Sequence, residues 1–241
     1  MPVGWEAIEL YPPYRADTWN PALAPLWAEN DLLASVLRRN LIDNKLREID
    51  PNAHARKRMA KLIADFESLL EGDEEPLHQF VKSNPELLCP THNRMWSKLP
   101  LGDRVTDFVF REPAGQYTLV ELERASLALF REDGQQRAEL THAIDQVTDW
   151  RRYIEDNLRY AQQELKLEGI SGNPKCLVVI GRQATLTPEM RRKLVTIQNG
   201  MPWLKLMTYD DVLSNARSTF ENIVGPIWDP GPNMEVYLLQ G

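Results

Sequence analysis

TLVELERASL, Thr118–Leu127, is the stretch that decides how this chain is read. Thr118, Leu119 and Val120 favour extended backbone and lead directly into Glu121-Leu122-Glu123. Side chains alternate between the faces of a strand, so Glu121 and Glu123 point the same way. Two carboxylates side by side on a sheet interior repel and raise each other's pKa unless a cation is present. An exposed strand face is the bland alternative, against which the apolar Leu119-Val120 flank speaks.

The neighbouring segments give the pair a setting. MWSKLPLG (Met95–Gly102), RVTDFVFRE (Arg104–Glu112) and QYTLVELERA (Gln116–Ala125) alternate with a period near two and read as consecutive strands. Pro113-Ala114-Gly115 turns the chain between the last two, giving an antiparallel meander. Glu121 follows Asp107 by fourteen positions, a separation that lets a hairpin bring Asp107, Glu121 and Glu123 together on one face. A divalent cation resolves their repulsion. Mg²⁺ favours one or two carboxylates while keeping waters and taking phosphate oxygens as further ligands.

Further out, helical spacing predicts helices over about Asn30–Asp43 and Asn52–Leu70 and a short one within EGDEEPLHQFVKSNPELL, which starts with acidic residues at Glu71, ends at Asn84-Pro85 and has Leu77, Phe80 and Val81 facing in. A long helix is predicted over about Gln135–Leu165, with Leu140, Ala143, Ile144, Val147, Trp150, Tyr153, Ile154 and Leu158 as its apolar stripe. KCLVVIGR, Lys175–Arg182, is a continuous apolar run suited to a buried strand. Thr187 and Pro188 open a helix to Asn199, and a last strand and helix run from Trp203 to Ile223. This order predicts an α/β fold, a mixed β-sheet covered by helices on both faces. Residues 1–30 hold three of the seven Trp among five Pro, which suits a clamped arm. The expected division is an N-terminal arm with helices over 1–70, an α/β domain over 71–225 and a tail over 226–241.

Composition narrows the function. A net charge of −7 disfavours a general nucleic-acid coat but permits a nuclease, whose metal-binding carboxylates add negative charge. The basic groups Arg151-Arg152, Arg191-Arg192-Lys193 and Arg56 to Lys61 read first as solvated helix faces. Cys89 and Cys176 stand far apart without a CxxC partner, so neither zinc nor a disulfide framework is indicated. No apolar run nears the roughly 18 residues of a membrane span, and the first residues lack a signal-peptide layout. A cytoplasmic protein with no membrane partner is the expectation. Nucleophile-elbow, P-loop and dinucleotide-binding patterns are absent.

Asp107 followed by Glu121-Leu122-Glu123 after a hairpin resembles the core of PD-(D/E)XK nucleases. EEPLHQFVKSNPELL, TDFVF, LVELERA, AELTHAIDQVTDWRRYIEDN and CLVVIGR together resemble the Shedu anti-phage defence nuclease domain over about Glu71–Leu213. The resemblance implies a restriction-endonuclease-like sheet with a helical N-terminal extension, and a DNA endonuclease using Mg²⁺ or Mn²⁺, often as a homo-oligomer. Asp107 and Glu121 would be its metal-binding carboxylates, with Glu123 as an additional ligand. Gln146 would lie beside them on the following helix, with Trp150 in the aromatic place four positions later. Glu74 or Glu75 would be the acid of the preceding helix, Glu75 being carried as an accessory residue. One position departs: the family pattern has Lys where Glu123 stands. The missing positive charge is then to come from a second metal, or from a basic residue elsewhere, Lys98 and Arg104 being nearest. Alternatively the fold is catalytically silent and serves as a nucleic-acid-binding or oligomeric scaffold. Glu-Leu-Glu recurs in Shedu-like domains of this type, which favours a working variant.

Bland readings stand beside these. His78 and His142 are isolated, as expected of partly buried hydrogen-bonding histidines, although His142 precedes Gln146 by four residues and so shares its helical face. A lone Gln146 reads as a surface residue, and Trp150 and Tyr153 as core anchors.

Overall fold

The computed structural model describes residues 52–225. The expected helix over 30–43, the Trp-rich arm and the tail lie outside that range. The described residues divide between a compact unit, residues 62–219, and a second unit to which 52–61 and 220–225 belong.

Among the described residues the first element is α1 (Ala53–Leu69), in close agreement with the predicted Asn52–Leu70. Next comes α2 (Glu74–Ser83), opened by Glu74 and Glu75 in its first turn and closed at Asn84, whose side-chain amide donates to the Phe80 carbonyl at 2.9 Å. Pro85 then starts a single 3₁₀ turn to Leu87. The strands β1 (Arg94–Ser97), β2 (Pro100–Leu101), β3 (Arg104–Val105), β4 (Phe108–Arg111) and β5 (Tyr117–Leu122) follow. Only β1, β4 and β5 join the main sheet, while β2 and β3 pair with each other as a small side hairpin. The predicted meander is therefore present with a detour. Lys98 causes the bend: its left-handed φ of 54° ends β1 where the sequence reads as one continuous strand.

Between β4 and β5 the turn is closed by Gly115 N–H donating to the Glu112 carbonyl at 2.8 Å, with Gly115 at φ 78°. The predicted long helix is two: α3 (Ala138–Asp156) and α4 (Leu158–Gln163), separated by Asn157 at φ −122°, ψ 34°. The apolar spacing continues through the break with Leu158 and Ala161, so periodicity alone does not show it. The remaining elements are β6 (Lys175–Val179), α5 (Pro188–Gly200), β7 (Leu204–Met207) and α6 (Tyr209–Val224). Thr187 caps α5 as expected, its hydroxyl accepting from Met190 N–H at 3.3 Å.

Among the described residues the main sheet has five strands in the order β1-β4-β5-β6-β7. β1, β4 and β5 are antiparallel neighbours, and β5, β6 and β7 are parallel. Parallel neighbours need crossovers, supplied by α3 with α4 and then by α5. Both pack on the same face, where Leu140, Val147, Trp150, Ile154, Leu186 and Met190 join Val109, Leu119, Val178 and Leu206 in one core. Phe108, Phe110 and Val120 face the other way, and there His78 stacks on Phe108 with ring centroids 4.5 Å apart. The fold is thus the mixed α/β sheet flanked by helices that the sequence predicts.

Candidate active site

Register builds the site. Phe108 pairs with Val120, and Ser97 pairs with Phe108. One step further along both ladders, Lys98, Asp107 and Glu121 fall in a row across β1, β4 and β5. Asp107 and Glu121 share their face with Val109 and Leu119, which α3 covers. Apolar neighbours on this face therefore enclose the two carboxylates, leaving Asp107 only 5% and Glu121 only 8% exposed.

Each is held by named partners. Asp107 receives the Leu122 backbone N–H on Oδ2 at 2.7 Å and the Lys98 ammonium on Oδ1 at 2.6 Å. Behind it stands buried His78, with Nε2 3.9 Å from Oδ1 and Nδ1 without a hydrogen-bond partner. Glu121 receives the Gln146 side-chain amide on Oε1 at 2.7 Å. Glu123 extends β5 by one hydrogen bond, its N–H donating to the Val179 carbonyl at 2.8 Å, and its own carbonyl accepts the Tyr209 hydroxyl at 2.7 Å.

The electrostatics follow from this crowding. Burial first, then the charges of Asp107, Glu123 and Glu74, push Glu121 up to about 9, with Lys98 opposing. Burial, Glu74, Asp107 and Glu139 push Glu123 up to about 7, with Arg124 opposing. Lys98 is partly desolvated, which works against its charge, yet the hydrogen bond and charge of Asp107 leave its pKa raised. Negative charge is therefore undercompensated around Glu121, the condition that a bound cation relieves. Carboxylate oxygens are donors that suit Mg²⁺ or Mn²⁺, so the residues fit such an ion. Among the described residues, no group of three or more His, Cys, Asp or Glu is arranged as a metal-binding cluster.

Other sequence candidates fall elsewhere. Arg104 pairs with Asp149 at 2.8 Å rather than with the acidic row. His142 is exposed, and no hydrogen bond or ion pair joins it to the carboxylates. Glu75 is exposed and takes a hydrogen bond from Gln79 at 2.7 Å, which holds its pKa below the usual carboxylate value. Glu74, half-buried beside it, is the member of that pair whose charge acts on Glu121 and Glu123. His78 was the signal available for choosing between them: it lies four residues beyond Glu74, on the same helical face, and it faces Asp107. Trp150 and Tyr153 take the bland reading, Trp150 fully in the core and Tyr153 packed against it.

Residues 71–213 match the family model for the C-terminal domain of the Shedu protein SduA. The chain belongs to this family. The matched span is more than half of the chain and contains every side chain of the acidic row, together with Gln146 and Glu74. Membership of the Shedu SduA family supports a role in anti-phage defence. No curated protein matches the chain. Among the described residues of this Shedu domain, no helix is long and apolar enough to cross a membrane.

Proposed function

We propose that the chain is a metal-dependent DNA endonuclease of a Shedu-type defence system, hydrolysing phosphodiester bonds at the row formed by Lys98, Asp107 and Glu121. The observation that carries this reading is the buried pair Asp107 and Glu121, in which burial first, and then the charge of Asp107, pushes Glu121 up to about 9. Asp107 and Glu121 would hold Mg²⁺ or Mn²⁺, with Glu123 as an additional oxygen donor. When bound, the metal polarises a phosphate oxygen and lowers the pKa of a water.

The chain's own groups do the rest. Leu122 N–H fixes the Asp107 carboxylate through Oδ2, and Gln146 fixes Glu121 through Oε1. Lys98 supplies, from just beyond the end of β1, the positive charge that Glu123 cannot supply, and this charge stabilises a phosphate as negative charge builds on it. Residues 1–70 recognise DNA, regulate cleavage or mediate assembly. The active species is a cytoplasmic homo-oligomer, each site cutting one strand; a monomer by light scattering would count against that.

A cleavage assay on plasmid and linear DNA with Mg²⁺ and Mn²⁺ tests the proposal. Asp107→Ala and Glu121→Ala are each expected to abolish cutting in a protein that still folds. Wild-type cutting by Asp107→Ala protein would defeat the assignment. The second reading, a silent nuclease fold used as a binding scaffold, is favoured by Glu123 standing in the lysine position and by Lys98 already neutralising Asp107. Metal titration separates the two, because a scaffold shows no binding that depends on Glu121.

A further inference from the structure

We propose that Lys98 is a displaceable counter-ion: its ammonium holds Asp107 Oδ1 in the metal-free protein, yields that oxygen when a divalent cation enters, and is then released toward the substrate phosphate. This inference rests on the metal-dependent reading of the site. Three features of the geometry point to it. The Asp107 carboxylate is anchored by its other oxygen, Oδ2, to the Leu122 backbone N–H at 2.7 Å, so the carboxylate keeps its orientation when Oδ1 changes partner. The Lys98 side chain is 48% exposed against 7% for Asp107, so the ammonium has an open way out while the acid has none. Finally, the Lys98 backbone is tied down independently of the ammonium's bond to Asp107. Its N–H donates to the Asp107 carbonyl at 2.9 Å and Thr106 N–H donates to the Leu99 carbonyl at 2.9 Å, which holds the corner in its left-handed conformation. A non-glycine residue kept in such a conformation marks a place where structure is maintained at a cost.

The physical consequence is competition. An ammonium hydrogen-bonded to a carboxylate oxygen and a divalent cation on that same oxygen repel each other at close range, so one displaces the other. Gln146, the partner of Glu121, is neutral and opposes no metal. Lys98 therefore weakens metal binding while contributing to the reaction, and its removal has opposite effects on the two.

Calorimetric titration of Mn²⁺ into wild type, Lys98→Met and Lys98→Arg, with DNA cleavage measured on the same preparations, tests this. Lys98→Met is expected to bind Mn²⁺ about tenfold more tightly than wild type, the equivalent of losing one competing charge-assisted hydrogen bond. It is also expected to cut DNA more slowly at saturating metal. Lys98→Arg, which keeps the charge, should stay near wild-type affinity. Lys98→Gln serves in place of Lys98→Met where the latter does not fold, with the same expected direction. Equal or weaker Mn²⁺ binding by the neutral variants, with wild type binding normally, overturns the counter-ion role and leaves the nuclease reading intact. Absence of Mn²⁺ binding in wild type and variants alike defeats the nuclease reading, and the counter-ion role with it.

Discussion

Glu121 carries a clear thermodynamic signature. Its folded-state pKa of about 9 lies above its ordinary value of 4.5, so between those values the folded protein binds more protons than the unfolded chain. Stability of the metal-free protein therefore falls as pH rises through that window. Glu123, pushed up to about 7, acts in the same direction over the lower part of it. Thermal melts in chelator are expected to show a higher midpoint at about pH 5.5 than at about pH 8.5, within the window these shifts define, and Glu121→Gln should reduce the difference. A midpoint that rises toward pH 8.5 in wild type would contradict the burial of this carboxylate. Gln146 acts on the same group through one hydrogen bond. Gln146→Ala should lower cleavage by roughly 10–100-fold, as for residues that orient a metal ligand, with melting little changed. Much of this was legible in the sequence at the residue scale: Asp107, Glu121 and Gln146 were all named from spacing and resemblance. The choice between Glu74 and Glu75 was legible only through His78, four positions beyond Glu74 on the same helical face. For Arg104 the sequence offers no such signal. Its partner Asp149 lies on α3, and only the tertiary fold brings the two together.

Among the elements, the loops that follow β5 and β6 fix the geometry around the acidic row. Gly181, at φ 64°, ends β6 and donates its N–H to the Arg124 carbonyl at 3.2 Å. A Cβ there would lie 2.3 Å from the Leu127 carbonyl oxygen and 2.4 Å from Leu129 Cδ1, contacts that backbone must move to relieve. Gly181→Ala is expected to destabilise the protein by about 1–3 kcal/mol in urea unfolding, and to lower metal affinity by shifting the residues after Glu123. Trp150 on α3 packs fully buried at 1% exposure beneath the same face. Trp150→Ala should cost about 3–5 kcal/mol, measured in the same way. Boundaries were legible where a local device sets them, as at Asn84-Pro85 and Thr187-Pro188. They were not legible at Asn157, where Leu158 and Ala161 carry the apolar stripe past the break, or at β2 and β3, which are too short to show a period.

For the whole molecule, metal and nucleic acid are the readouts that matter. A ligand that binds only the folded state stabilises it by mass action, so Mg²⁺ at about 100 times its dissociation constant should add about 2.7 kcal/mol to unfolding free energy, an increment that Glu121→Ala abolishes. The net charge of −7 sets DNA binding against a general repulsion. Affinity should therefore depend on local basic residues and decline with rising salt. The mixed sheet with helices on both faces was readable as a whole because three strands with period two precede two apolar runs separated by helices. That layout follows from the need for crossovers between parallel strands and leaves few alternatives.

The sheet's change from antiparallel to parallel pairing at β5 also has a meaning in time. β4 and β5 meet across a turn of a few residues, whereas β5 cannot meet β6 until more than fifty further residues have been made. Short closures form first and long ones wait on chain entropy. As the chain leaves the ribosome, the strands that appose Asp107 and Glu121 are thus made before α3 brings Gln146 and before the sheet can close over them. During that interval the acidic pair stands open to water and dissolved ions, and its seclusion is the work of the later-made half of the domain.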